Sequence, residues 1–254
     1  KHASASQEGD REGLLLTGDS HAAALAGALD GLEPFNKLQV IAKGHCMPFA
    51  WMERLESAGE CHPLFKTVYA MAATRPDYHT VILAGRWAMR FSGKGFISDA
   101  TPLHFFRDVR VTIAEPDQGA LFEKGLRETL ATLIKADRRV IFVHQIPELG
   151  FKPGFCLPRP HSLYPRHPCT IPRHVVDARQ APYRSLVARI LRDYPSVEVF
   201  DPVPVFCDTE VCRAKIDDVF MYSDDNHLSD AGARLLGNRW VSLFGPTDFT
   251  PRRR

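Results

Sequence analysis

An α/β fold built on a parallel sheet follows from three features of the sequence. Five short apolar runs rich in Val, Ile and Leu recur along the 254 residues. They are unbroken rather than alternating, as strands buried on both faces are. Helix-like stretches separate them, and strands alternating with helices imply right-handed crossovers with helices on both sheet faces.

In chain order, the first run is Leu14–Thr17, and Gly18-Asp19-Ser20 leads from it into a helix candidate at His21–Leu29. Leu38–Ala42 is the second strand, and Leu64–Ala73 reads as the next helix. Thr80–Ala84 is the third strand. Gln118–Lys135 follows as a helix, its Leu121, Leu126, Leu130, Leu133 and Ile134 lying close to one 3.6-residue stripe. Val140–Val143 is the fourth strand, Tyr183–Asp193 a helix, and Val197–Phe200 the fifth strand. Ser229 stands where an N-cap belongs, ahead of a last helix running to Phe244. Ligands of open α/β sheets sit beyond the carboxyl ends of the strands, so the residues at those ends are the ones to inspect.

One segment departs from the pattern. Seven prolines lie between Pro147 and Pro172, with Lys152, Arg159, His161, Arg166 and His167 among them. Proline removes donors and fixes φ, so this stretch is expected as a long braced loop, an insertion at about 147–181 in a single domain spanning 1–254. Such a loop either shapes a binding site or is an inert surface excursion. The terminal Arg252-Arg253-Arg254 reads as a solvated tail.

Composition narrows the function classes. With 32 Lys+Arg against 30 Asp+Glu the formal charge is +2, and the basic residues are scattered, which disfavours nucleic acid as a partner. No apolar run reaches the roughly 18 residues of a membrane span. The chain starts at Lys1 without a charged segment leading into an apolar one, so it is expected to be a processed or excised piece.

Six cysteines fall into three local pairs, at 46 and 61, 156 and 169, and 207 and 212. No metal-type spacing joins them, although His161 and His167 between Cys156 and Cys169 keep a zinc site open as an alternative, and buried thiols are another. Disulfides are favoured, above all Cys207–Cys212 across the polar loop Asp208-Thr209-Glu210, with Cys156–Cys169 clipping the Pro-rich loop. Disulfides imply an oxidising compartment.

Two stretches carry chemistry. Ser20 sits on the turn from a buried strand into a helix, where its hydroxyl stands at the sheet edge. Its N–H belongs to a helix first turn that favours negative charge. Taken alone, Gly-Asp-Ser is as compatible with a simple cap. Far along the chain, Tyr222-Ser223-Asp224-Asp225-Asn226-His227-Leu228-Ser229 holds an Asp three residues before a His. A local turn there can aim the Asp224 carboxylate at one imidazole nitrogen, leaving the other to take a proton from a serine. Together the two stretches supply nucleophile, base and orienting acid to one sheet edge.

These residues resemble the SGNH hydrolase superfamily, and within it the periplasmic SGNH domain fused to membrane acyltransferases that O-acylate bacterial surface glycans. The resemblance rests on Gly18-Asp19-Ser20-His21, Val81-Ile82-Leu83-Ala84-Gly85-Arg86-Trp87, Cys207…Cys212 and Tyr222-x-Asp224-x-x-His227-Leu228-Ser229. It implies a flavodoxin-like three-layer αβα sandwich with a five-stranded parallel sheet. It further implies a triad of Ser20, His227 and Asp224 working without cofactor or metal. The implied function is O-acyl transfer, most simply of acetyl, to a periplasmic or cell-surface polysaccharide. A glycan is then the acceptor, and an N-terminal membrane acyltransferase domain outside this chain supplies the acyl group and tethers the protein to the inner membrane. Alternatives are a free-standing secreted carbohydrate esterase and a non-catalytic glycan-binding module.

The oxyanion hole is where the chain departs from the resemblance. Gly44 falls where the superfamily has an oxyanion glycine, although a plain turn glycine would look the same. Trp87 stands where an asparagine donor is expected, and an indole carries its one N–H elsewhere. Either Arg86, Trp87 or a backbone N–H substitutes, or the hole runs on Ser20 and Gly44 alone. The bland reading of Arg86 and Trp87 is packing beneath the site.

Overall fold

The computed structural model describes residues 13–29, 38–55, 59–97, 105–111, 117–157 and 168–244. Five strands form its main sheet: β1 (Gly13–Gly18), β2 (Leu38–Ala42), β3 (Tyr78–Ala84), β4 (Arg139–Val143) and β5 (Glu198–Phe200). All neighbours pair in parallel, in the order β2-β1-β3-β4-β5. The direction of winding reverses at β1, which puts a crevice beyond its carboxyl end. Register sharpens the point. Gly18 is opposite Ala42 on one side and Ala84 on the other, so the turns leaving β1, β2 and β3 emerge side by side.

Seven helices accompany the sheet among the described residues: α1 (Ser20–Leu29), α2 (His62–Thr74), α3 (Trp87–Ser92), α4 (Gln118–Lys135), α5 (Arg173–Leu191), α6 (Val203–Phe206) and α7 (Asp230–Phe244). Strand residues alternate between two cores. Leu14, Leu16, Ile82, Ala84, Ile141 and Val143 pack towards α1 and α7, where Leu25, Leu236 and Trp240 meet them. Leu15, Val81, Leu83, Val140 and Phe142 face α2, α4 and α5. Each fully buried side chain of this size contributes about 1.5–3 kcal/mol, and both faces being covered explains the unbroken apolar runs.

Local chemistry sets the helix ends. Asp117 accepts from the Ala120 N–H at 3.1 Å and starts α4. Ser229 caps α7: its Oγ accepts from the Gly232 N–H at 3.2 Å and donates to the Phe220 carbonyl at 2.7 Å. Gly18 has no room for a side chain, since a Cβ would run into the Ala84 carbonyl.

The cysteines form three disulfides, Cys46–Cys61, Cys156–Cys169 and Cys207–Cys212, and no cysteine is free. The Pro-rich region needs a correction. The expected insertion to about 181 is cut short, because Thr170–Pro172 pairs with Val211–Arg213 and α5 begins at Arg173 with Pro182 inside it. Val176, Tyr183, Leu186, Val187 and Ile190 bury one face of α5, and that packing outweighs the roughly 3 kcal/mol cost of an interior proline. His161, His167 and the terminal arginines lie outside the described residues. Among the described residues, no helix is long and apolar enough to cross a membrane, and no group of three or more His, Cys, Asp or Glu could hold a metal ion.

Candidate active site

Ser20 opens α1 immediately after β1, on the reversal edge of the sheet. His227 reaches it from the loop ahead of α7. Its Nε2 lies 2.8 Å from Ser20 Oγ, and its Nδ1 lies 2.8 Å from Asp224 Oδ2. A carboxylate only accepts, so the Nδ1 proton belongs to His227 and Nε2 is the free lone pair facing the serine hydroxyl. The other Asp224 oxygen accepts from the backbone N–H groups of Asn226 at 2.8 Å and His227 at 2.7 Å, which folds the four residues into one turn. Burial raises the Asp224 pKa, but the bonds from His227 and these two N–H groups outweigh it and hold the carboxyl well below its usual range. The site is open to solvent: the side chains of His227 and Asp224 are 28% and 45% exposed.

Gly44 leaves β2 beside the serine, and a Cβ placed on it would lie 3.9 Å from that of Ser20. The N–H groups of Ser20 and Gly44 carry no hydrogen bond among the described residues. Both remain available as donors.

Arg86 and Trp87 do not join them, which corrects the sequence expectation for both. The Trp87 indole N–H donates to the Val143 carbonyl at 2.7 Å, and the ring is 1% exposed, stacked on Phe142 and edge-on to Phe122. Its role is packing under the sheet edge. The Arg86 N–H donates to Asp19 Oδ2 at 3.0 Å, and its guanidinium is bonded to Glu148 and Met89.

Behind the serine lies a buried ionic network that sequence reasoning missed. Asp19, fully buried, accepts from the His21 N–H at 2.9 Å and from Arg90 Nε at 2.9 Å as well as from Arg86. Arg86 continues to Glu148, and Glu148 to Arg179 at 2.8 Å. The Leu149 N–H donates to the Asp225 carbonyl at 2.8 Å, so the segment after β4 also holds the histidine loop. Only the adjacency of Asp19 to Ser20 hinted at this network. Arg90 and Glu148 carry no local pattern that announces burial.

Chemically, a hydroxyl bonded to an oriented imidazole, beside one N–H at a helix N-terminus and another on the turn after β2, can lose its proton and attack a carbonyl. The fold has known counterparts. The periplasmic domain of a Salmonella ser. Paratyphi A lipopolysaccharide acetyltransferase superposes with a TM-score of 0.65 at 16% identity, over 92% of this chain and 83% of that one. A putative acylhydrolase from Bacteroides fragilis gives a TM-score of 0.50 at 11% identity, over 93% and 88%. A GDSL-like lipase from Bacteroides thetaiotaomicron gives 0.50 at 10% identity, over 92% and 87%. At these identities the likeness is one of fold. No curated protein matches the sequence. The family model described as the SGNH domain fused to AT3 domains matches residues 2–242. That match spans both turns built above, and the chain belongs to this SGNH domain family.

Proposed function

We propose that this domain is a serine O-acyltransferase, acting with acetyl groups on a periplasmic or cell-surface polysaccharide. The observation that carries the reading is the continuous line from Asp224 through His227 to Ser20, with both links at 2.8 Å. His227 Nε2 takes the Ser20 proton as Oγ attacks the acyl carbonyl carbon. The resulting oxyanion is held by the Ser20 and Gly44 N–H groups. As the tetrahedral adduct collapses, the proton passes from His227 to the leaving group and an acyl-serine remains. A sugar hydroxyl then loses its proton to the same nitrogen and attacks the acyl-serine, which returns Ser20 to its starting state. With two oxyanion donors instead of three, turnover is expected to be slow, since one such donor is worth about 3–4 kcal/mol.

The transfer assignment draws on the family, whose domains are fused to AT3 domains, and on the fold shared with a lipopolysaccharide acetyltransferase periplasmic domain. On this reading a membrane acyltransferase domain delivers the acyl group and holds the domain at the periplasmic face of the inner membrane. The disulfides fit that oxidising compartment.

Exposure of His227 and Asp224 favours a second activity in the isolated domain, with water replacing the sugar. The domain should therefore release acetate from a chromogenic acetyl ester, and Ser20→Ala should abolish release while leaving the melting temperature unchanged. A Ser20→Ala protein as active as the parent overturns the triad. Loss of O-acetyl from the surface polysaccharide of cells carrying that substitution, read by mass spectrometry, tests the transfer.

A further inference from the structure

His21 follows the proposed nucleophile and has no part in the chemistry above. It is 6% exposed, and its Nε2 meets Asn226 Oδ1 at 3.0 Å across 205 residues of chain. The Asn226 amide is oriented by its other end, where Nδ2 donates to Asp225 Oδ1 at 2.7 Å. The oxygen therefore faces His21, and the imidazole proton must sit on Nε2. Nδ1 is left as a buried lone pair with no hydrogen bond among the described residues. The His21 ring lies 4.9 Å from the His227 ring, tilted by 53°. Asn226 in turn donates its backbone N–H to Asp224 Oδ1, the oxygen that also receives the His227 N–H. A single side chain on α1 thus touches both the ring of the base and the turn that orients it.

We propose that His21 is a positioning residue, a neutral clamp that fixes the His227 imidazole against Ser20 by holding Asn226 and bracing the ring. The clamp is built from the first turn of α1, so nucleophile and base are referenced to the same element. An ordinary apolar residue would fill the space but could not donate to Asn226. A lysine or arginine would hold Asn226 but set a permanent charge against the cation that forms on His227. Burial pushes the His21 pKa down to about 4, so the ring remains uncharged where a neutral His227 is needed. The Asp19 charge, two residues back, pulls the other way, while His227 and Arg86, at β3's exit, act with burial.

The proposal rests on the triad reading, and labelling of Ser20 by a fluorophosphonate separates the two. The reagent needs an activated serine but no glycan, and the whole 254-residue domain is used. The parent should label and Ser20→Ala should not; an unlabelled parent overturns the triad reading itself. With a labelling parent, His21→Leu should slow the second-order rate about 10- to 100-fold, the scale expected for a base displaced by around an ångström. His21→Gln keeps an N–H for Asn226 and should recover most of the rate. Asn226→Ala should reproduce the His21→Leu defect without adding to it in the double variant. A merely structural role is excluded by a further background: with His227→Ala present, His21→Leu should cost nothing more. If His21→Leu labels like the parent, or still slows the His227→Ala protein by the same factor, the clamp is refuted. Should His21→Leu fail to fold, Asn226→Ala alone decides by the same comparison.

Discussion

Replacing Asp19 with asparagine changes one charge and almost no volume, yet the geometry makes it a severe substitution. Oδ1 accepts from the His21 N–H, while Oδ2 accepts from both the Arg86 N–H and Arg90 Nε. An asparagine has one accepting end, so its amide nitrogen must face a donor whichever way it turns. Arg90, with a side chain 3% exposed, loses its counter-ion. Burial raises the Asp19 pKa, but the Arg90 charge and the two backbone N–H groups bring it below its usual value, so the native group is an anion at neutral pH. Breaking such a pair from one side costs about 3–5 kcal/mol, because the remaining charge is desolvated and unpaired. With a urea m-value of about 3 kcal/mol/M, the unfolding midpoint should fall by roughly 1–2 M. The assay is equilibrium urea unfolding at pH 7.5, followed by the fluorescence of buried Trp87 and Trp240. Asp19→Asn combined with Arg90→Met removes both charges and should recover much of the loss. An Asp19→Asn midpoint within roughly 0.3 M of the parent, at unchanged m, refutes the ionised pair.

Three further outcomes follow from the same geometry. His21 is held near 4 in the fold against an ordinary value of 6.5, so between those values the unfolded chain binds the extra proton. Its contribution is therefore full above pH 6.5, down by about 2 kcal/mol at pH 5, and lost by pH 4; urea midpoints across this range should flatten in His21→Gln. Trp87→Phe keeps the ring stack but orphans the Val143 carbonyl, so the protein should lose about 1–3 kcal/mol in urea unfolding while acetyl ester hydrolysis per folded molecule stays within about twofold. A hydrolysis loss of two or three orders of magnitude would return Trp87 to the oxyanion hole. Removing the Cys46–Cys61 bond, which closes a loop spanning 15 residues just after Gly44, should cost about 3 kcal/mol, measured as the difference in unfolding free energy of Cys46→Ala/Cys61→Ala.

The parallel sheet was legible because its strands are short, apolar on both faces and separated by periodic helices. α3 was missed, since its six residues from Trp87 to Ser92 are too few to display a period. The start of α5 was misread for a different reason. Pro182 argued locally against helix, whereas the decisive term was burial of Val176 against the first core and of Tyr183 against the second. The candidate catalytic residues stood out because Gly18-Asp19-Ser20 and Asp224-x-x-His227 each form a compact local pattern at a predicted strand end or helix start. Asp19, His21 and Asn226 lay within those same patterns without revealing their partners.

By itself the sequence determined the alternation of strands and helices and the turn that joins Asp224 to His227, since each depends on residues a few positions apart; it favoured disulfides without choosing their pairing. Only the tertiary structure decided where the donors go. Trp87 turned out to spend its N–H on β4, Arg86 to spend its own on Asp19, and His21 to reach Asn226 from the far end of the chain. Hydrogen bonds and buried charges are directional and short-ranged, so their partners are chosen by which strand ends the fold brings together. A residue's type gives its capacity to donate or accept, and its neighbours in space decide whether that capacity remains for catalysis.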